Sequence, residues 1–260
     1  MNARRLAPVA LVVVAAGLGL GLAAAAVTMA TATGAGAQAQ PPPTRAPASE
    51  IRNGRDLFQV ACSSCHGIEG EGTRKGPTLI GVGAAAADFY LTTGRMPLDN
   101  PDEQAQRKRP AYSVLQIRQL VAYVASLGPG PPVPAVAWET GDLARGNQLY
   151  ANNCASCHSS AGAGGALGHA VYAPRLGQAT PTQVAEAVRI GPGPMPVFGR
   201  DVFSDDELAA IVRYVQYLRD PADPGGLGLG HLGPIPEGFV AWVVGLGLIV
   251  VAIRWIGTRD

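Results

Sequence analysis

Two five-residue blocks, Cys62-Ser63-Ser64-Cys65-His66 and Cys154-Ala155-Ser156-Cys157-His158, hold all four cysteines of the 260-residue chain. Thiols three positions apart can reach both vinyl groups of one porphyrin while the next imidazole meets the iron, and Cys-x-x-Cys-His is the pattern that attaches a c-type haem. Each block is therefore expected to carry one covalent haem c, through Cys62 and Cys65 in the first and Cys154 and Cys157 in the second. His66 and His158 are the expected proximal iron ligands. Paired disulfides in an exported chain, or zinc, would use the same residue types. No cysteine lies outside the blocks to build a separate disulfide framework.

An iron bound to four pyrrole nitrogens and one imidazole has a single axial position left, and its occupant decides between electron transfer and ligand binding. The chain has four methionines. Met1 opens it and Met29 lies in an apolar N-terminal run, whereas Met96 and Met195 each follow a haem block in matching settings, Gly94-Arg95-Met96-Pro97 and Gly193-Pro194-Met195-Pro196. A thioether in the sixth position leaves no place for a substrate and raises the reduction potential. Met96 and Met195 thus read as distal ligands of two electron carriers. Methionine also fills gaps in cores, and His169 competes for the second iron. His231, among glycines, reads as solvated.

Between block and methionine each repeat carries a proline and a leucine, in Gly76-Pro77-Thr78-Leu79 and Ala173-Pro174-Arg175-Leu176. With these, each repeat resembles the class I cytochrome c family. The resemblance implies that the Pro77 and Pro174 carbonyls accept a hydrogen bond from the proximal imidazole, fixing the ring. It implies that Leu79 and Leu176 pack on the haem. It further implies a crossing of first and last helices at a glycine facing an aromatic, a role that falls on Gly54 with Tyr123 and on Gly146 with Tyr214.

The elements that must position these residues repeat as well. Short amphipathic helices around Gly54–Phe58 and Gly146–Tyr150 precede the blocks. Longer helices near 113–127 and 204–219 close the repeats, each opened by a capping-box pattern, Ser113-x-x-Gln116 and Ser204-x-x-Glu207. Their apolar residues recur at helical spacing, Leu120, Tyr123, Val124 and Leu127 answering to Ile211, Tyr214, Val215 and Leu218. The expected fold is all-α, with tandem class I cytochrome c domains at 50–128 and 138–220 and a stiff Pro-rich linker at 129–137. Each domain is small for an apolar core alone, so the porphyrin is expected to complete it. The polar stretch Asp99–Arg109 reads as a solvated loop or a docking site for a partner, and Gly162–Gly168 as an insertion.

Both ends read as membrane segments. Residues 1–37, apolar behind Arg4 and Arg5, form a signal peptide or a retained signal anchor, with Ala35-Gly36-Ala37 as a cleavage site and 38–49 as a linker. After a Gly/Pro-rich tether at 221–237, residues 238–257 are long and apolar enough to span a bilayer. Arg254 and Arg259 place the C-terminus in the cytoplasm and the haem domains on the extracytoplasmic side of the cell membrane. Gly238, Ala241, Gly245 and Ala252 share one face of that helix, where another transmembrane helix could approach. With 20 basic against 19 acidic residues, nothing suits the chain to nucleic acid.

This order of segments resembles the dihaem cytochrome c subunit of actinobacterial cytochrome bcc complexes, which are menaquinol:cytochrome c reductases. The resemblance implies a cytochrome b subunit, a Rieske iron-sulfur subunit and a terminal cytochrome c oxidase as partners. Electrons would pass from menaquinol through the Rieske centre and the two haems to the oxidase, with the first domain facing the oxidase and the second the Rieske centre. Two other readings use the same residues. One is a membrane-tethered dihaem shuttle or dihaem oxidase subunit. The other is a catalytic dihaem enzyme such as a peroxidase or thiosulfate dehydrogenase, which needs an open axial site or a cysteine ligand.

Overall fold

Helix α1 (Ala48–Ala61) starts behind Pro47 without a side-chain cap and turns Gly54 and Phe58, four apart, to the interior. The computed structural model describes residues 46–222 and 234–257; the readings on 1–37, on most of the 38–49 linker, on His231 and on most of the tether lie outside them. The single turn α2 (Ser63–His66) carries the first block, and α3 (Gly83–Thr92) owes its helicity to the run Ala84–Ala87. Helix α4 (Val114–Ser126) is set by its capping box: Gln116 N–H donates to Ser113 Oγ at 3.3 Å and Ser113 N–H to Gln116 Oε1 at 3.0 Å.

The second repeat runs parallel to the first. Asp142 caps α5 (Leu143–Asn153), and the turn α6 (Ala155–His158) carries the second block. Then comes an antiparallel hairpin of β1 (Gly165–Gly168) and β2 (Val171–Ala173). Helix α7 (Pro181–Ile190) has a Thr180/Gln183 capping box, Pro181 in its first turn and the left-handed Gly191 at its end. Helix α8 (Asp205–Tyr217) is capped by Ser204 and Glu207. The fold is thus mostly helical as expected, and the hairpin is what the sequence reading did not contain. Its first strand is exposed throughout, so no in-out alternation marks it.

In each repeat the first helix crosses the last, α1 on α4 and α5 on α8. A Cβ at Gly54 would collide with the Gln119 carbonyl and stand 2.9 Å from Tyr123 Cβ; one at Gly146 would collide with the Ala210 carbonyl, again 2.9 Å from Tyr214 Cβ. Only glycine lets the backbones approach so closely. Beside each crossing an aromatic pair repeats, Phe58 with Tyr123 at 5.1 Å and Tyr150 with Tyr214 at 5.3 Å, both tilted 53°. One core gathers around Phe58, Leu91, Ile117, Leu120 and Tyr123, the other around Tyr150, Val184, Leu208, Ile211, Val212 and Val215.

The two repeats touch. Helix α3 packs on α7, and the polar stretch after Met96, expected to be solvated or to dock a partner, in part braces the second repeat. Gln104 and Tyr172 exchange a pair of hydrogen bonds, Gln104 Nε2 to the Tyr172 carbonyl at 2.8 Å and Tyr172 N–H to Gln104 Oε1 at 2.9 Å. The start of the Pro-rich linker lies on the first turn of α3, where Ala85 N–H donates to the Pro131 carbonyl at 3.0 Å.

Helix α9 (Pro234–Gly257) begins four residues ahead of the span read from the sequence. Pro234 and Pro236 fall in the first turn, where the missing N–H groups would have no partner in any case. At 1.5 Å per residue its 24 residues measure about 36 Å, enough to cross a hydrocarbon core.

Candidate functional site

The second block sits at the end of α5, where α6 turns His158 inward; its side chain is buried. His158 Nδ1 lies 3.0 Å from the Pro174 carbonyl. A carbonyl can only accept, so Nδ1 carries the proton and Nε2 keeps its lone pair for a metal. Burial lowers the His158 pKa, and the bond to Pro174 opposes it. The first block repeats this contact, with His66 Nδ1 donating to the Pro77 carbonyl at 2.8 Å.

His158, Cys154, Cys157, Pro174, Leu176 and Met195 all line one cavity of about 330 Å³. Its apolar wall comes from Tyr150, Val184, Val188, Phe198, Ile211 and Val215. A larger hollow of about 470 Å³, between the linker and the start of α8, is lined by Asp142, Asp205, Asp206 and Glu207 and holds no cysteine or histidine. In the first repeat Cys62, Leu79 and Met96 pack against the Phe58 cluster. His169 does not line the cavity; it stands exposed at the hairpin turn.

Each methionine follows a helix that the sequence reading did not single out. Met96 comes four residues after α3, with its N–H donating to the Tyr90 carbonyl at 3.1 Å. Met195 comes five residues after α7, its loop tied back by Phe198 N–H to the Val188 carbonyl at 2.9 Å. Arg189 completes that loop. From α7 its Nη1 donates to the carbonyls of Phe198, Gly199 and Phe203, and its Nη2 pairs with Asp205 at 2.9 Å.

The four cysteines are not joined to one another. Burial, then the neighbouring thiol, pushes Cys62 and Cys154 up to about 11. Among the described residues no three His, Cys, Asp or Glu side chains converge as a metal cluster. Thiols, an imidazole with a free Nε2, a thioether and an apolar wall on one cavity instead suit a covalent haem, and a buried guanidinium nitrogen of Arg95 on the same wall has no acceptor.

A family model described as cytochrome c matches residues 51–128, and one described as cytochrome C oxidase, cbb3-type, subunit III matches residues 141–215. The cytochrome bc1 complex cytochrome c subunit of Corynebacterium diphtheriae is 40% identical over 228 residues, which is 81% of this chain and 81% of that one. The subunit of the same name from Mycobacterium tuberculosis strain H37Rv is 40% identical over 219 residues, 81% of this chain and 78% of its own. The chain belongs to the family of cytochrome bc1 complex cytochrome c subunits. The family expected from the residues is therefore the one found, and the cytochrome c domains of this bc1-complex cytochrome c subunit family member fit an electron-transfer role in the respiratory chain. The Cbb3-type cytochrome c oxidase subunit CcoP of Azospirillum sp. is also similar, 30% identical over 191 residues, 65% of this chain and 62% of its own.

Several residues of this family member's site were invisible in its sequence. Arg95, Tyr90 and Arg107 of the first repeat line the cavity of the second. Gln183 receives Arg107 at 2.8 Å and reaches Thr92 Oγ1 at 3.3 Å. The capping box Thr180-x-x-Gln183 was a legible signal for α7; nothing local marks the contacts between repeats.

Proposed function

We propose that the chain is the dihaem cytochrome c subunit of a membrane-bound quinol:cytochrome c reductase. It would pass electrons from a Rieske iron-sulfur centre beside a cytochrome b subunit to a terminal cytochrome c oxidase. The observation that carries this reading is the convergence of Cys154, Cys157, His158 and Met195 on one cavity, in a chain whose block, Pro-Leu pair and methionine occur twice. When bound, each haem c supplies a one-electron iron couple. Cys62, Cys65, Cys154 and Cys157 would hold the two porphyrins, and His66 with Met96 and His158 with Met195 the irons. Pro77 and Pro174 would fix the imidazole rings, Leu79 and Leu176 would pack on the porphyrins, and Arg189, which ties down the loop after α7, would keep Met195 in place as the second ligand of its iron.

Helix α9 would anchor the subunit in the cell membrane, with the haem domains on the extracytoplasmic side and the Arg254 end in the cytoplasm. The domains proposed are 50–128 and 138–220. The likeness of residues 141–215 to the cbb3-type subunit III supports one rival, a dihaem oxidase subunit. Both readings are tested by solubilising membranes in mild detergent and capturing the chain by a C-terminal tag. Haem b and a Rieske protein in the eluate support the reductase subunit. A lone dihaem protein, or one with oxidase subunits only, contradicts it.

A further inference from the structure

Burying an arginine without an anion is unfavourable, because the guanidinium loses hydration and gains no opposite charge. Arg95 is 8% exposed and its Nη1 meets no acceptor among the described residues. Its Cζ lies over the Phe89 ring, 4.9 Å from the centroid. Arg107 Nη2 donates to the Gln178 carbonyl at 3.0 Å and to Gln183 Oε1 at 2.8 Å, both neutral acceptors. Among the described residues neither arginine forms a salt bridge.

Both guanidiniums belong to the first domain, yet both line the cavity of His158 and Met195. The backbone holds them side by side, since Lys108 N–H donates to the Thr93 carbonyl at 3.1 Å. Two positive charges without an anion thus face a cavity whose expected occupant carries two carboxylates. We propose that Arg95 and Arg107 bind the propionates of the haem held by the second domain, so that the first domain completes the second site. A planar guanidinium fork suits a carboxylate better than a lysine ammonium does. Arg95 adjoins Met96, so one loop serves both sites, offering a thioether to the first and a guanidinium to the second.

The inference rests on haem occupying the second block, and its test separates the two claims. The full chain is purified in detergent, its haems are counted, and both couples are titrated potentiometrically from mildly acidic to mildly alkaline pH. Met195→His marks the second-site couple by lowering it. Removing a positive charge favours the ferric form, so Arg95→Gln and Arg107→Gln are each expected to weaken reduction at the second site by about three- to tenfold, tenfold being 59 mV for one electron. Each is also expected to give that couple a pH slope as the freed propionate begins to titrate, whereas Arg95→Lys keeps the charge and stays near the parent. Should Arg95→Gln fail to accumulate, Arg107→Gln carries the same reading. A second-site couple unchanged in value and slope, or a shift confined to the first site, overturns the proposal while leaving the dihaem reading intact. A parent chain with no haem on the second block overturns both.

Discussion

The proton on His158 Nδ1 aims this side chain: held by the Pro174 carbonyl, it leaves Nε2 as the atom that faces the cavity. Met195 lines the same cavity, and as the second ligand of an iron there it would decide what the site can do, because a thioether excludes diatomic ligands that an open iron would bind. Met195→Ala is expected to let the reduced chain bind carbon monoxide at one haem where the parent binds none, read by flash photolysis; no binding would mean that another side chain fills the position. Arg189 acts through the loop. Arg189→Gln removes the guanidinium shared by four carbonyls and Asp205, and is expected to lower the temperature at which the methionine-iron absorption band disappears. An unchanged band would show that backbone bonds such as Phe198 N–H to the Val188 carbonyl hold the loop without it. The cysteines and histidines stand out in the sequence because each block is local and occurs twice, and Met96 and Met195 because each follows a block and precedes a proline. Arg95, Arg107 and Arg189 do not, because the first two line a cavity of the other repeat and the third bonds backbone carbonyls, neither of which leaves a pattern in side-chain types.

Elements were legible where their ends carry side-chain caps. Ser113 with Gln116 and Ser204 with Glu207 announced α4 and α8, and Thr180 with Gln183 announces α7 in the same way. Helix α3 has no side-chain cap at its N-terminus, and the exposed first strand of the hairpin has no alternation to read. The helix crossings are the most demanding packing in each domain. Gly54→Ala and Gly146→Ala, which push a methyl into a backbone carbonyl, are each expected to cost about 1–3 kcal/mol. Thermal unfolding of the holo-chain checks this, and a change within error would mean that the helices part without loss.

At the scale of the molecule, α3 and α7 bring together two carboxyls that no sequence pattern pairs. Glu186 is fully buried and meets no N–H or hydroxyl donor among the described residues; burial, then the Asp88 carboxylate, pushes it up to about 9. A hydrogen bond between two carboxyls needs a proton, and burial raises Asp88 as well. The folded chain keeps the Glu186 proton up to about pH 9, while the unfolded chain releases it near the ordinary 4.5. The pair's contribution is therefore full below the unfolded value, falls as pH rises and is lost through about 9. With one proton involved, the slope is at most about tenfold per pH unit in the unfolding constant. Glu186→Gln is expected to flatten it, and an equal slope in the variant would place the proton elsewhere. Helix α9 is apolar except near its ends, at Glu237 and Arg254, and is long enough to span a bilayer. A chain ending before Pro234 should leave the membrane fraction if the N-terminal segment is cleaved, and a truncated chain that stays membrane-bound would show that segment to be an anchor.

Two haems, each ligated by histidine and methionine, have a distinct signature in near-infrared magnetic circular dichroism of the oxidised, purified chain, scaled to chain concentration. The expected result is the histidine-methionine charge-transfer band at the intensity of two low-spin haems per chain. Intensity for one haem, a band at the bis-histidine position or a high-spin signal would contradict it.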